Sequence, residues 1–275
     1  MRQILLSLLL IFIGEPLIAQ NSSTSDPNKM KGKFYFYWGY NRETYTKSNI
    51  RFKGENFDFT VKKAIALDRQ SPLARDPYLK IDQITIPQYN YRFGYYISDQ
   101  YNVSLGWDHM KYVMVQDQVA KVSGVIKNTG TDYDRTYDNT DVKLAGDFLQ
   151  FEHTDGLYYL NAELNRVDPV YNYKKLYIKS TYGLAAGVLC PRTRAVILNN
   201  VVNDQWHISG FGVSAKTGLN ISINNHFFFQ AELKAGLIDM PNIVIEANSK
   251  DRARQNFGFV QGNVVIGYQF NLHKK

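Results

Sequence analysis

KFYFYWGYNRETY, Lys33 to Tyr45, is the stretch on which the fold turns. Successive side chains of an extended chain point to opposite sides, so Phe34, Phe36, Trp38 and Tyr40 share one face and Tyr35, Tyr37, Gly39 and Asn41 the other. An unbroken period of two over this length predicts a strand with two different environments.

The same alternation recurs seven more times. Strand 2 is expected from about Ile84 to Ile97, with Tyr89, Tyr91, Phe93 and Tyr95 set against Gln88, Asn90, Arg92 and Gly94. Pro87 there suggests a bulge. Strand 3 is expected over Tyr101 to Val115 and strand 4 over Leu144 to Leu164. Strands 5 to 8 are then Lys175 to Leu189, His207 to Ile223, His226 to Asp239 and Asn256 to Leu272. Asp155-Gly156 is a strong hairpin signal inside strand 4. A hairpin would make the strand count odd, so one long strand with a bulge near Gly156 is preferred: the apolar positions pass from Leu149 and Phe151 to Tyr158, Leu160, Ala162 and Leu164.

The connections alternate in length. Short turns are expected at Ser98 to Gln100, Asn165 to Tyr173 and Asn224-Asn225, and long loops at Thr46 to Gln83, Gln116 to Lys143, Cys190 to Trp206 and Met240 to Gln255. Ahead of all this, Arg2, an apolar run from Ile4 to Ile13 and Ala19 have the order of an export signal, with cleavage placed after Ala19. The expectation is a signal peptide at 1–19 and a single barrel domain at 20–275.

Composition points the same way. The chain holds 20 Tyr, 16 Phe and 3 Trp with a polar mean hydropathy of -0.34. A membrane barrel reconciles the two, because only alternate residues meet lipid and aromatics girdle both interfaces. The formal net charge is +7, and losing Arg2 and Glu15 with the signal leaves it unchanged. Such a balance suits an acidic partner, and export favours lipid phosphate over nucleic acid. Cys190 is the lone cysteine, which excludes an intrachain disulfide.

At the far end, Gly267, Phe270 and Leu272 have the spacing of the terminal sorting signal that outer-membrane barrels present to their insertion machinery, with Val265 departing from its polar place. With the strand and loop pattern, the mature chain resembles the small eight-stranded outer-membrane barrels of Gram-negative bacteria, the OmpA, OmpX and OmpW type. That resemblance implies an all-β, up-and-down antiparallel transmembrane barrel in the outer membrane, with both termini in the periplasm and long loops outside.

An eight-stranded barrel is just wide enough for side chains to fill. Arg92, Asp108, Lys179, Lys216, Asn220, Glu232 and Lys234 fall on the inward parity, and a lumen network is expected among Arg92, Asp108, Lys216, Glu232 and Lys234, with Lys216 near Glu232. Two clusters could carry chemistry. His109, beside Asp108, is expected at the height of Glu152, His153 and Asp155 on the neighbouring strand, where histidines among carboxylates suit an acid-base or metal role. His207-x-Ser209, opposite Asp239, resembles the His-x-Ser pair of barrel lipid A deacylases, whose acid stands on another strand.

The first loop carries Lys47, Arg51, Lys53, Lys62, Lys63, Arg69, Arg75 and Lys80 against Glu55, Asp58, Asp68 and Asp76, and its Phe52, Phe57 and Phe59 predict that it packs. No phosphate loop, dinucleotide fingerprint or zinc spacing is present, so no cofactor is expected. The preferred expectation is a non-enzymatic surface barrel that binds lipopolysaccharide or an outer-membrane protein partner through basic loops. An outer-leaflet lipid-modifying enzyme is the alternative, and a narrow channel the third.

Overall fold

The computed structural model describes residues 29–72, 74–80, 82–203, 206–245 and 250–272. The expected signal peptide and His273 to Lys275 lie outside the described residues.

Eight antiparallel strands close into a ring: β1 (Lys33–Tyr45), β5 (Tyr89–Tyr96), β6 (Tyr101–Met114), β9 (Leu149–Tyr173), β10 (Leu176–Pro191), β13 (Gly210–Ile223), β14 (Phe227–Val244) and β15 (Arg252–Asn271). Pairing of β1 with β15, from Lys33 opposite Asn271 to Tyr45 opposite Phe259, shuts the sheet and removes its edges. Outward positions form an apolar belt in which Leu105, Leu184, Leu233 and Ile266 are each more than half exposed. Aromatics bound it at both ends, as in the Phe34–Tyr95 pair near the short turns and the Trp107–Tyr158 pair opposite. A closed barrel that is apolar outside and polar inside satisfies every backbone group within lipid, so this is a transmembrane barrel.

The long loops are folded. Among the described residues they hold seven further strands: β2 (Ser48–Lys53), β3 (Phe57–Ala64), β4 (Ala66–Leu67), β7 (Val119–Ile126), β8 (Arg135–Lys143), β11 (Arg194–Ile197) and β12 (Asn200–Asn203). β2 continues the sheet from the upper end of β15, and β3, β7 and β8 follow in that order. The β11–β12 hairpin extends β9, and β4 joins β6. Together they make a cap with its own apolar core. Phe52 stacks on Phe59 at 5.3 Å and meets Phe151 at 5.3 Å, while Phe59 reaches Phe148 at 5.7 Å. Each such ring removed from water is worth about 2–3 kcal/mol, which is why this long loop is ordered.

Several boundaries differ from the sequence reading. Asn165 to Tyr173, expected as a turn, continues β9; the chain reverses at Lys174 and Lys175, where Lys174 takes φ 52°. Strand 2 starts at Tyr89, strand 4 at Leu149 and strand 6 at Gly210, which leaves His207 to Ser209 ahead of the barrel. The seventh and eighth strands climb further, to Val244 and from Arg252. Asn224 and Asn225 take φ 53° and 59° and, with His226, make the three-residue turn between Ile223 and Phe227.

Strand 4 is one strand, and Gly156 holds φ +146° within it, but its inward parity never changes. Leu149, Phe151 and His153 point inward, and so do Tyr159, Asn161 and Glu163. The apolar side switches because the surroundings invert. Within the belt the outside is lipid and the lumen is polar; beyond it the outside is water and the inside is the cap core. β6 repeats this along one face, where Asn102, Ser104 and Asp108 give way to Met110, Tyr112 and Met114.

Candidate functional site

Three cations and three anions meet in the lumen, all with side chains at most 5% exposed. Arg92 bonds Asp108 at 2.7 Å and Glu163 at 2.8 Å. Lys216 reaches Glu163 at 2.7 Å and Glu232 at 3.0 Å, and Lys234 reaches Asp108 at 2.8 Å and Glu163 at 3.3 Å. Tyr37, Gln230 and Asn263 also donate to Glu232, and Ser104 donates to Glu163. Gly106 makes room for the network, since a Cβ there would lie 2.5 Å from the Arg92 guanidinium carbon. The charges match three for three in a low-dielectric space, and each touches a group of opposite sign. Glu163 is the member that the sequence reading left out. Its position between outward Ala162 and Leu164 was the available signal. Asn220 donates to Gln230 nearer the short-turn end, and Lys179 stands apart from the six.

The cluster expected around His109 does not converge. His109 faces outward between the rings of Tyr89 at 5.1 Å and Tyr158 at 5.0 Å, and neither of its nitrogens has a partner among the described residues. His153 points into the cap core against Tyr112 and Phe151, with Nδ1 at 3.1 Å from the Thr193 hydroxyl and Nε2 at 3.4 Å from Gln255 Oε1. Burial in that core, beyond the membrane belt, pulls its pKa down to about 4. Glu152 faces outward and pairs with Arg69 at 2.8 Å and Arg194 at 3.5 Å, while exposed Asp155 pairs with Arg192 at 3.3 Å. The physical cause is alternation. Glu152 and His153 are neighbours on one strand, so they must diverge, and the register shift between Met110 and Tyr112 separates His109 from His153 as well. No group of metal-binding side chains forms among the described residues.

The second candidate is half assembled. Ser209 Oγ lies 2.6 Å from His207 Nε2, but the Val244 amide donates to the same nitrogen at 3.1 Å, and Ser209 is only 2% exposed. Asp239 stands opposite Phe211, and its buried Oδ1 has no partner among the described residues. It does not orient this histidine.

The basic residues gather on the outer face of the cap. Arg51 lies directly opposite Arg254, and Lys53 opposite Arg252, across β2 and β15; Lys62 lies opposite Lys121 across β3 and β7. Asp58 pairs with Arg51 at 2.6 Å and is held below the usual carboxylate range by that bond, and Asp141 pairs with Lys121 at 2.7 Å. Lys53 and Arg254 are exposed and have no ion-pair partner among the described residues.

In the last strand, Gly267 lies inward under Phe228, where a Cβ would meet the ring at 2.2 Å, and Phe270 packs outward beside Phe34 and Tyr268.

No family model and no curated protein matches the chain. Among solved structures it is similar to the outer membrane protein OprG of Pseudomonas aeruginosa, with 10% identity over 90% of this chain and 100% of that one at a TM-score of 0.42. Ail, the attachment invasion locus protein of Yersinia pestis, shows 11% identity over 88% and 100%, at a TM-score of 0.34. The N-terminal barrel domain of Pseudomonas aeruginosa OprF shows 10% identity over 87% and 98%, at a TM-score of 0.33. At such identities the likeness says nothing of activity. On its own ring, belt and lumen, the chain is built as a small eight-stranded barrel of the outer-membrane type, enlarged by a folded cap.

Proposed function

We propose that this chain is a non-enzymatic integral barrel of the outer membrane, short turns toward the periplasm and cap outside, that binds the phosphate-bearing lipopolysaccharide around it. The observation that carries this reading is the set of like-charged cross-strand pairs, Arg51 with Arg254, Lys53 with Arg252 and Lys62 with Lys121. Like charges directly opposite destabilise a sheet. Asp58 and Asp141 offset Arg51 and Lys121, but Lys53, Lys62 and Arg254 have no ion-pair partner among the described residues, so stability alone would not favour their grouping on one exposed face. A polyanion reverses their sign of effect, and arginine forks match phosphate oxygens in pairs. Arg254 precedes the outward belt residue Val260 by six positions, about 20 Å along a strand, on the cap side of the belt, within reach of headgroup phosphates in this reading. Gly267, Phe270 and Leu272 are proposed as the strip read by the insertion machinery, and the β8 edge of the cap is open to a protein partner.

The test is to replace Lys53, Lys62 and Arg254 with Ser together and titrate the refolded barrel with purified lipopolysaccharide at fixed salt. Affinity should fall at least tenfold, about 1.4 kcal/mol, while cap stability holds or rises. Dephosphorylated lipopolysaccharide should bind wild type as weakly as intact material binds the variant. Equal affinity of wild type and variant for the intact lipid would refute the reading.

The 2.6 Å Ser209–His207 contact is the one observation that favours a lipid hydrolase instead. Ser209→Ala would then change the acyl pattern of lipid A in whole cells; the non-enzymatic reading expects no change.

A further inference from the structure

At the short-turn end of the barrel, a cavity of about 480 Å³ is lined by Met30, Ser98, Asp99, Gln100, Pro169 and Lys179 among others. Two ammonium groups converge here, Lys179 from the lining itself and Lys33 from beside it. Lys179, only 4% exposed, reaches from β10, and Lys33, 9% exposed, from the start of β1. Both donate to one sulfur: Lys179 Nζ is 3.2 Å and Lys33 Nζ 3.8 Å from Met30 Sδ. The six lumen charges each touch a group of opposite sign within 3.3 Å. These two lysines touch none among the described residues. Asp99, in the cavity wall, spends Oδ1 on the backbone amides of Met30 and Lys31 at 2.8 and 2.9 Å. A thioether is a weak acceptor, and among the described residues no carboxylate bonds either of the two buried ammoniums facing it, although burial of charge calls for an anion.

The strand is shaped for this. Register shifts between Ile178 and Lys179, where Val170 is the extra residue in β9, and Pro169, opposite Lys179, offers no N–H. Bulges of this kind re-aim a side chain, and here the residue beside it is the one that enters the cavity wall.

We infer that the short-turn mouth is an oxyanion site, in which a phosphate displaces the Met30 thioether and bridges Lys33 and Lys179. The cavity admits either free phosphate or the headgroup of a phospholipid from the facing leaflet. The site is separate from the cap, lies at the opposite end of the barrel, and is independent of lipopolysaccharide binding.

The experiment uses the full mature chain refolded in a phosphate-free maltoside detergent. Thermal unfolding is followed with inorganic phosphate replacing chloride at constant ionic strength, and native mass spectrometry follows retained phosphatidylethanolamine. A ligand that binds only the folded barrel raises its melting temperature by mass action. Wild type should therefore melt higher in phosphate or retain the lipid, Lys179→Arg should do the same, and Lys179→Met should lose the response by tenfold or more in ligand concentration. A phosphate response without lipid retention assigns free anion as the source, and the reverse assigns the headgroup. Lys31→Met, an exposed neighbour, should behave as wild type. If Lys179→Met responds like wild type, or if wild type answers neither probe, the site does not exist. Should Lys179→Met fail to show the heat-modifiable gel shift of a closed barrel, Lys33→Met takes its place: loss of the response supports the site, and a wild-type response overturns it.

Discussion

Glu163 accepts ion pairs from Arg92, Lys216 and Lys234, so the lumen network is one object. Its arithmetic decides what substitutions do. Lys216→Met leaves two cations facing three buried carboxylates, whereas Lys216→Met with Glu232→Gln leaves two of each, with Arg92 and Lys234 still on Asp108 and Glu163. Breaking one side of a buried pair costs about 3–5 kcal/mol, and replacing both sides costs far less. The single variant should therefore be the less stable of the two in urea unfolding from vesicles, by about 2 kcal/mol or more; additive losses around the cycle would mean that the two charges act separately. Most of this network was legible, because parity alone selects Arg92, Asp108, Lys216, Glu232 and Lys234 as inward. The same parity marks Glu163, between outward Ala162 and Leu164; what parity does not carry is which inward residues meet across the lumen, where contacts join strands far apart in sequence.

At the scale of elements, β9 is the instructive one. Its apolar residues move from odd to even positions near Gly156, which reads as a slip of register, yet the strand keeps its faces throughout and the solvent outside it changes. A sequence pattern records which face is apolar, not which face is inside, and in a strand that leaves the membrane the two part company. The same blindness hid β2, β3, β7 and β8, whose buried Ile50, Phe52, Phe59 and Val122 belong to a core outside the barrel. Alternation and the register shift between Met110 and Tyr112 are what keep His109 and His153, expected at one height, apart. Gly156 itself is required by its φ of +146° and by Trp206, whose ring would lie 2.7 Å from a Cβ there. Trp206 stacks on Tyr158 at 4.7 Å at the cap end of the belt. Gly156→Val should cost about 1–3 kcal/mol for the strained backbone alone and unseat that stack. Tryptophan emission should shift to the red, and the β11–β12 hairpin should become open to trypsin at Arg192 and Arg194 while the barrel still shows its heat-modifiable band. Unchanged emission and protease resistance would place the stack's support elsewhere.

Taken as a whole, the molecule closes its axis twice. The balanced charge cluster fills the lumen within the belt, and above it Met110, Tyr112, Tyr159 and Phe257 pack into the cap core, each at most 5% exposed. Barriers in series obstruct independently, so opening one leaves the other in place. Eight strands leave an interior just wide enough for side chains to fill, and the cap core sets a second layer of packed side chains above it. This yields a prediction that separates a sealed barrel from a narrow channel gated at one constriction. Arg92→Ala with Asp108→Ala removes the largest lumen side chain and one of its partners while keeping the remaining Lys216, Lys234, Glu163 and Glu232 neutral in sum. The double variant should still fold, because each of the four charges left in the network keeps a counterpart. In planar bilayers both wild type and the double variant should show no conductance steps in molar salt. Steps in wild type would make the chain a channel and overturn the surface-barrel reading. Steps only in the double variant would show that the cap does not seal, leaving the charge cluster as the sole barrier. Silence from both, with the gel shift confirming closed barrels, is the outcome that two seals in series require.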